Sequence, residues 1–102
     1  MKKLIATAAL AAFWAPAAVA GPIEQACRTS GRPQATLALC ACIQQAANGT
    51  LSRADQRRAV RFFRDPHKAQ EVRQSSRPAD SAFWQRYRTF GEAAELRCGM
   101  TG

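Results

Sequence analysis

Four cysteines set around one short apolar helix constrain this chain more than any other feature. They stand at Cys27, Cys40, Cys42 and Cys98, spaced C-x12-C-x-C-x55-C. The run Leu37-Ala38-Leu39-Cys40-Ala41-Cys42-Ile43-Gln44-Gln45 reads as a helix of about three to four turns, opened after Pro33 and closed at Asn48-Gly49. At about 100° per residue, Leu39, Ile43 and Ala46 share one face. Cys40 and Cys42 then fall on its two flanks, roughly 160° apart. A bond between them is disfavoured, so each sulfur must reach a different partner. Of the remaining pairings, Cys27–Cys40 with Cys42–Cys98 is preferred, because in an antiparallel hairpin of the first two helices Cys40 lies nearer the turn. The crossed alternative stays open. Closing the two preferred loops is worth roughly 3 and 4 kcal/mol by the chain-entropy estimate, comparable to the whole stability of a small domain.

The first twenty residues have the form of a secretory signal peptide. Lys2 and Lys3 give a basic start, Leu4 to Trp14 an apolar run, and Ala18-Val19-Ala20 a small-x-small cleavage site. The run is about half of what a membrane span needs. Residues 21–102 would then form a single domain, in the size range where covalent staples commonly supplement a slight core. Export and an even cysteine count favour disulfides over free thiols, and the expected location is periplasmic or secreted. The formal net charge of +8, less Lys2 and Lys3, leaves +6, and Lys68 is the one lysine among the remaining basic residues.

The rest of the chain predicts an all-α fold, a small bundle of four to five short helices stapled by two disulfides. Pro22 to Thr29 reads as a first helix, ended by Ser30-Gly31-Arg32-Pro33. After the central helix, Ser52 with Asp55 three residues on resembles a capping box, opening a helix to about Arg64. Asp65-Pro66 starts a short helix through about Gln74. The last helix is expected from near Asp80 to Cys98, with Gly99 beyond its end. Along it Phe83, Tyr87, Phe90, Ala94 and Cys98 form one apolar stripe. Gly91 beside that stripe costs about 1 kcal/mol against alanine, which suggests close approach of another helix.

For chemistry, the structural disulfide reading of the cysteines stands against two sharper ones. Zinc normally takes local C-x2–4-C pairs, and thiol oxidoreductases normally sit on a βαβ scaffold. On the third helix Arg53, Arg57, Arg61 and Arg64 fall within about 80° of arc. Such a row suits phosphate or carboxylate recognition on an acidic protein, a lipid headgroup or an anionic polymer; the plain alternative is a solvated face. Nucleic acid fits poorly with an exported location. His67, the one histidine, has Glu71 as its i+4 neighbour and no second histidine to build a metal or catalytic site. There is no nucleophile elbow and no glycine-rich phosphate loop, so no catalytic residue, metal or cofactor is assigned. Phe62-Phe63 and Phe83-Trp84 read as core and rim, with Trp84 a partly exposed contact residue.

Several runs together resemble a family of small exported bacterial proteins commonly labelled "arginine transporter". They are Cys40-Ala41-Cys42-Ile43-Gln44-Gln45, Thr50-Leu51-Ser52, Asp55-Gln56-Arg57-Arg58, Phe62-Phe63, Asp65 to Glu71, Phe83-Trp84-Gln85-Arg86-Tyr87 and Phe90-Gly91. The resemblance implies an accessory or solute-binding component linked to arginine transport, and carries no catalytic or binding residue. Without a span beyond its leader, such a chain cannot itself form a membrane pathway. The residues alone point first to an exported, non-catalytic interaction module for an anionic envelope partner. The transport role comes second and a C-x-C thiol-redox protein third.

Overall fold

The computed structural model describes residues 21–99; the expected leader at residues 1–20 lies outside them. Five helices follow in order: α1 (Pro22–Arg28), α2 (Leu37–Thr50), α3 (Arg53–Arg64), α4 (Pro66–Arg73) and α5 (Pro78–Cys98). Among the described residues there is no strand, and the all-α expectation holds. No helix among them is long and apolar enough to cross a membrane.

Three of the helices begin where a neighbouring side chain satisfies a free N–H group. Thr36 Oγ1 accepts from Leu39 N at 3.1 Å, Ser52 Oγ from Asp55 N at 3.1 Å, and Asp65 Oδ1 from His67 N at 3.1 Å. Proline occupies the first turn of α1, α4 and α5. α5 therefore starts at Pro78, two residues ahead of the expected Asp80. At its far end Gly99 is left-handed, φ 67°, and donates to the Glu95 carbonyl at 3.1 Å.

The central helix departs most from expectation. Its start at Leu37 is that of the expected run, the residues between it and Pro33 forming a turn in which Ala35 N donates to the Arg32 carbonyl at 3.0 Å. Its end is displaced past Asn48-Gly49, which lie inside the helix. Asn48 accepts from the Gln44 carboxamide one turn back at 2.8 Å, and Thr50 Oγ1 donates to the Ala46 carbonyl at 2.7 Å. Buried Leu51 then sets the exit. Of the expected face Ile43 and Ala46 are buried and Leu39 is half-buried; the buried surface extends round the helix to Cys40, Gln44 and Ala47. Cys40 is thus at the middle of the face, fully buried, while Cys42 stays on a flank.

α2 packs chiefly on α5 and α1, α1 also on α3, and α4 bridges α3 and α5. Ile23, Cys40, Ala47, Ala59 and Phe83 have at most 1% of their surface exposed and mark the centre of the core. α4 has no fully buried residue and rests on its neighbours through half-buried Ala69 and Val72. Both disulfides join the preferred pairs, Cys27–Cys40 and Cys42–Cys98, and among the described residues no cysteine is free. The first ties α1 to α2 and the second ties α2 to α5.

Within this small core sits a closed set of amides. The Gln44 carboxamide donates to Gln56 Oε1 at 2.8 Å, and Gln56 Nε2 donates to the Leu51 carbonyl at 3.2 Å and to Asn48 Oδ1 at 3.3 Å. Gln44 Oε1 accepts from Glu24 N at 2.8 Å. α1 has no side-chain cap of its own, since Gly21 precedes it; Gln44 supplies that cap from another helix. A Cβ on residue 21 would overlap the Gln44 carboxamide. A side chain at residue 21 would therefore make the Gln44 carboxamide shift; the constraint is one of space, the φ of −78° being ordinary.

Candidate functional site

Three regions carry chemistry: the arginine face of α3, an ion-paired aromatic cluster between α3 and α5, and a cleft beside both disulfides.

Arg53, Arg57, Arg61 and Arg64 are all exposed, on the side of α3 opposite buried Gln56, Ala59 and Phe62. Over the 12 residues from Arg53 to Arg64 the row extends about 16 Å, at about 1.5 Å per residue step. None of the four forms an ion pair among the described residues. Arg57 and Arg64 border a shallow depression against Pro22, Gln25 and Thr29 of the α1 segment. Their neighbours on the same helix behave differently. Arg58 Nη2 meets Asp80 Oδ1 at 2.6 Å, and Asp55 receives Arg86 Nε at 2.7 Å and Arg86 Nη2 at 3.2 Å. The Arg58 hydrogen bond, with one from Ser75 Oγ at 2.7 Å, holds the Asp80 carboxyl below the ordinary carboxylate range. The fork from Asp55 raises the Arg86 guanidinium in the same way.

These ion pairs frame an aromatic cluster. Phe83, fully buried, lies under the Arg58 guanidinium at 4.4 Å. Tyr87 is the hub, edge-on to Phe62 at 5.0 Å and within 6.1 Å of Phe83, Trp84 and Phe90 by ring centroids. Trp84 is half-buried, as a contact residue would be. Its ring partner is Tyr87, and none of the recorded aromatic or cation contacts connects it to the α3 arginine row. The structure therefore brings the four arginines together and leaves Trp84 with a separate group. His67 is exposed at a helix start, its Nε2 3.6 Å from Glu71.

The cleft was not visible in the sequence. It is an open groove of about 820 Å³, within the size of natural binding pockets. Leu39 and Ile43 of α2, Phe63 of α3, and Tyr87 and Phe90 of α5 supply its apolar surface. Arg32 stands on the α1–α2 turn and Glu95 on α5. Cys27 and Cys98, one from each disulfide, line it as well. Burial pushes the Tyr87 phenol above its usual value, and the nearby Arg32 charge pulls against that shift. Gly91 also lines the groove. The close helix approach expected at Gly91 is absent among the described residues: a Cβ built there meets none of their atoms within 4 Å. An isolated glycine in the middle of a 21-residue helix was the available signal, and it marks an opening.

Cys40 and Cys42 point to different partners, so the C-x-C segment is two half-cystines of separate bonds. Two disulfides fit an oxidising compartment. No family model, curated protein or solved structure matches this chain.

Proposed function

We propose that this is an exported, non-catalytic interaction protein that meets an anionic partner in the periplasm or outside the cell. Its contact surface is the row Arg53, Arg57, Arg61 and Arg64. One observation carries the reading: Asp80 and Asp55 are already engaged by Arg58 and Arg86 and Asp65 caps the next helix, while the four outward guanidiniums have no ion-paired carboxylate among the described residues. Guanidinium forks left free on a rigid helix are suited to bidentate contact with phosphate or carboxylate. The Arg58–Asp80 and Arg86–Asp55 pairs support it, since they hold α3 against α5 and keep its outward charges in register at low entropic cost.

Retention of the oxidised protein on heparin and on phosphatidylglycerol vesicles, followed against salt, tests this. The wild type is expected to be held at low salt and released as salt rises. Arg57→Glu/Arg61→Glu should elute near the void. Equal retention of the two proteins on both matrices would overturn the assignment.

A further inference from the structure

The arginine row leaves the cleft unexplained, and Gly91 is its most informative residue. Glycine is less favourable than alanine in a helix interior, so its presence needs a reason. The backbone does not supply one, because Gly91 is not among the residues of positive φ, Gly31 and Gly99. Packing among the described residues does not supply one either, because a Cβ would meet open space there. What the missing side chain does is deepen the groove floor between Phe90 and Ala94. A side chain from outside the described fold could use that depth.

The surroundings state what could. Leu39, Ile43, Phe63 and Tyr87 offer an apolar bed for one bulky side chain. Arg32 adds a cation without an ion-pair partner among the described residues, its backbone fixed by the 32–36 turn. Glu95, also without such a partner, sits on the α5 wall and disfavours a second acid there. The groove is open to solvent on one side, so it seats a side chain presented by a larger body better than it encloses a free small molecule. Both disulfides end in its walls, which fixes the shape before anything binds.

We infer that this cleft docks a peptide segment of a partner protein, inserting a bulky apolar side chain over Gly91 while a neighbouring carboxylate pairs with Arg32. The site is separate from the α3 row, and its test does not depend on that reading.

The first measurement is thermal unfolding of oxidised Gly91→Ala. Because the fold makes no use of the glycine, Tm should rise by about 4 °C or more; a fall would mean that the fold needs it, and the inference would be wrong. The second is selection of a random 12-residue peptide library on the oxidised protein. Enriched peptides should pair a leucine, phenylalanine or tryptophan with an adjacent aspartate or glutamate. Gly91→Leu should weaken the best of them by about tenfold or more, and Arg32→Gln by about threefold to tenfold. Arg57→Glu/Arg61→Glu should leave them unchanged. Should Gly91→Leu misfold, amide shifts of the wild type with the same peptide replace it, and must centre on Gly91, Tyr87 and the 32–36 turn. No enrichment, peptides lacking the acid–apolar pair, or shifts centred elsewhere would each overturn the site.

Discussion

The two ends of this bundle are held by different means. Where α1, α2 and α5 meet, sulfur does the work: Cys27–Cys40 and Cys42–Cys98 join three helices around a groove that is left unfilled. Where α3, α4 and the start of α5 meet, there is no sulfur. Phe62, Phe83 and Tyr87 pack ring against ring, and Arg58–Asp80 and Arg86–Asp55 close over them. A covalent tie works without continuous packing beside it, whereas ion pairs contribute most where geometry is tight and water is partly excluded. The stapled end can therefore leave apolar surface open for a visitor. The packed end cannot, and its chemistry faces outward as charge.

The largest test of this contrast is to remove a staple. Cys42→Ser/Cys98→Ser opens the longer loop, of 56 residues' separation, and should cost about 4 kcal/mol in denaturant unfolding. Cys27→Ser/Cys40→Ser should cost about 3 kcal/mol from loop entropy, plus the loss of packing at fully buried Cys40. Cys42 and Cys98 are half-buried whereas Cys27 and Cys40 are buried. A graded dithiothreitol titration with alkylation mapping should therefore open Cys42–Cys98 first. Simultaneous opening would break the comparison.

Next in size is the amide set that spans both ends. Gln44→Ala leaves Glu24 N and Gln56 short of partners, and should destabilise by about 1–3 kcal/mol. Hydrogen exchange should show the loss at the first turn of α1, far from residue 44 in sequence. A purely local effect around α2 would count against the trans cap.

The packed end has its own acid signature. The Asp80 carboxyl titrates lower in the folded than in the unfolded chain, because Arg58 and then Ser75 donate to it. The stability it lends is complete above the unfolded carboxylate pKa and drains away as pH falls through the folded one. Asp80→Asn should therefore lower stability at neutral pH and flatten its decline in acid, an effect smaller than losing either disulfide. An unchanged acid slope would show that the pair contributes nothing.

The smallest effect joins the two ends at Tyr87, the one tyrosine in the chain. Its phenol should titrate above the ordinary value, read by absorbance at alkaline pH. Arg32→Gln, which removes the cation opposing that shift, should move it higher still. Being raised, this group adds stability that is full below the unfolded phenol pKa and is lost as pH climbs through the folded one. A downward move on Arg32→Gln would separate Arg32 from the cleft.

How much of this could be read beforehand follows from how local each signal is. Helix starts at Ser52 and Asp65 depend on residues within one turn and were legible. So was the exclusion of a Cys40–Cys42 bond, because one helix's geometry points the two sulfurs apart; the choice between the other two pairings was a preference resting on an α1–α2 hairpin, and the fold bears it out. The end of α2 was misread, since Asn48-Gly49 resembles a stop unless one knows that Gln44 and Gln56 reach the Asn48 side chain. Gln44 itself looked like Gln45. A sharper eye would have seen that Cys40, Gln44 and Ala47 recur at helical spacing, which puts that glutamine on the buried face. The cleft was out of reach, for it joins Arg32, Leu39, Phe63 and Gly91 across four stretches of chain. Only the unexplained glycine hinted at it, and it was read with the opposite sense, as contact instead of space.

The fit between Gly21 and Gln44 bears on how the protein can be handled at all. An expression tag whose scar put alanine or serine at residue 21 would drive a methyl or hydroxymethyl group into the carboxamide. The carboxamide would have to shift, straining its hydrogen bond to Glu24 N and the Gln44–Gln56 contact behind it. Recombinant material meant to report on the native molecule should retain that glycine, and any purification handle belongs elsewhere.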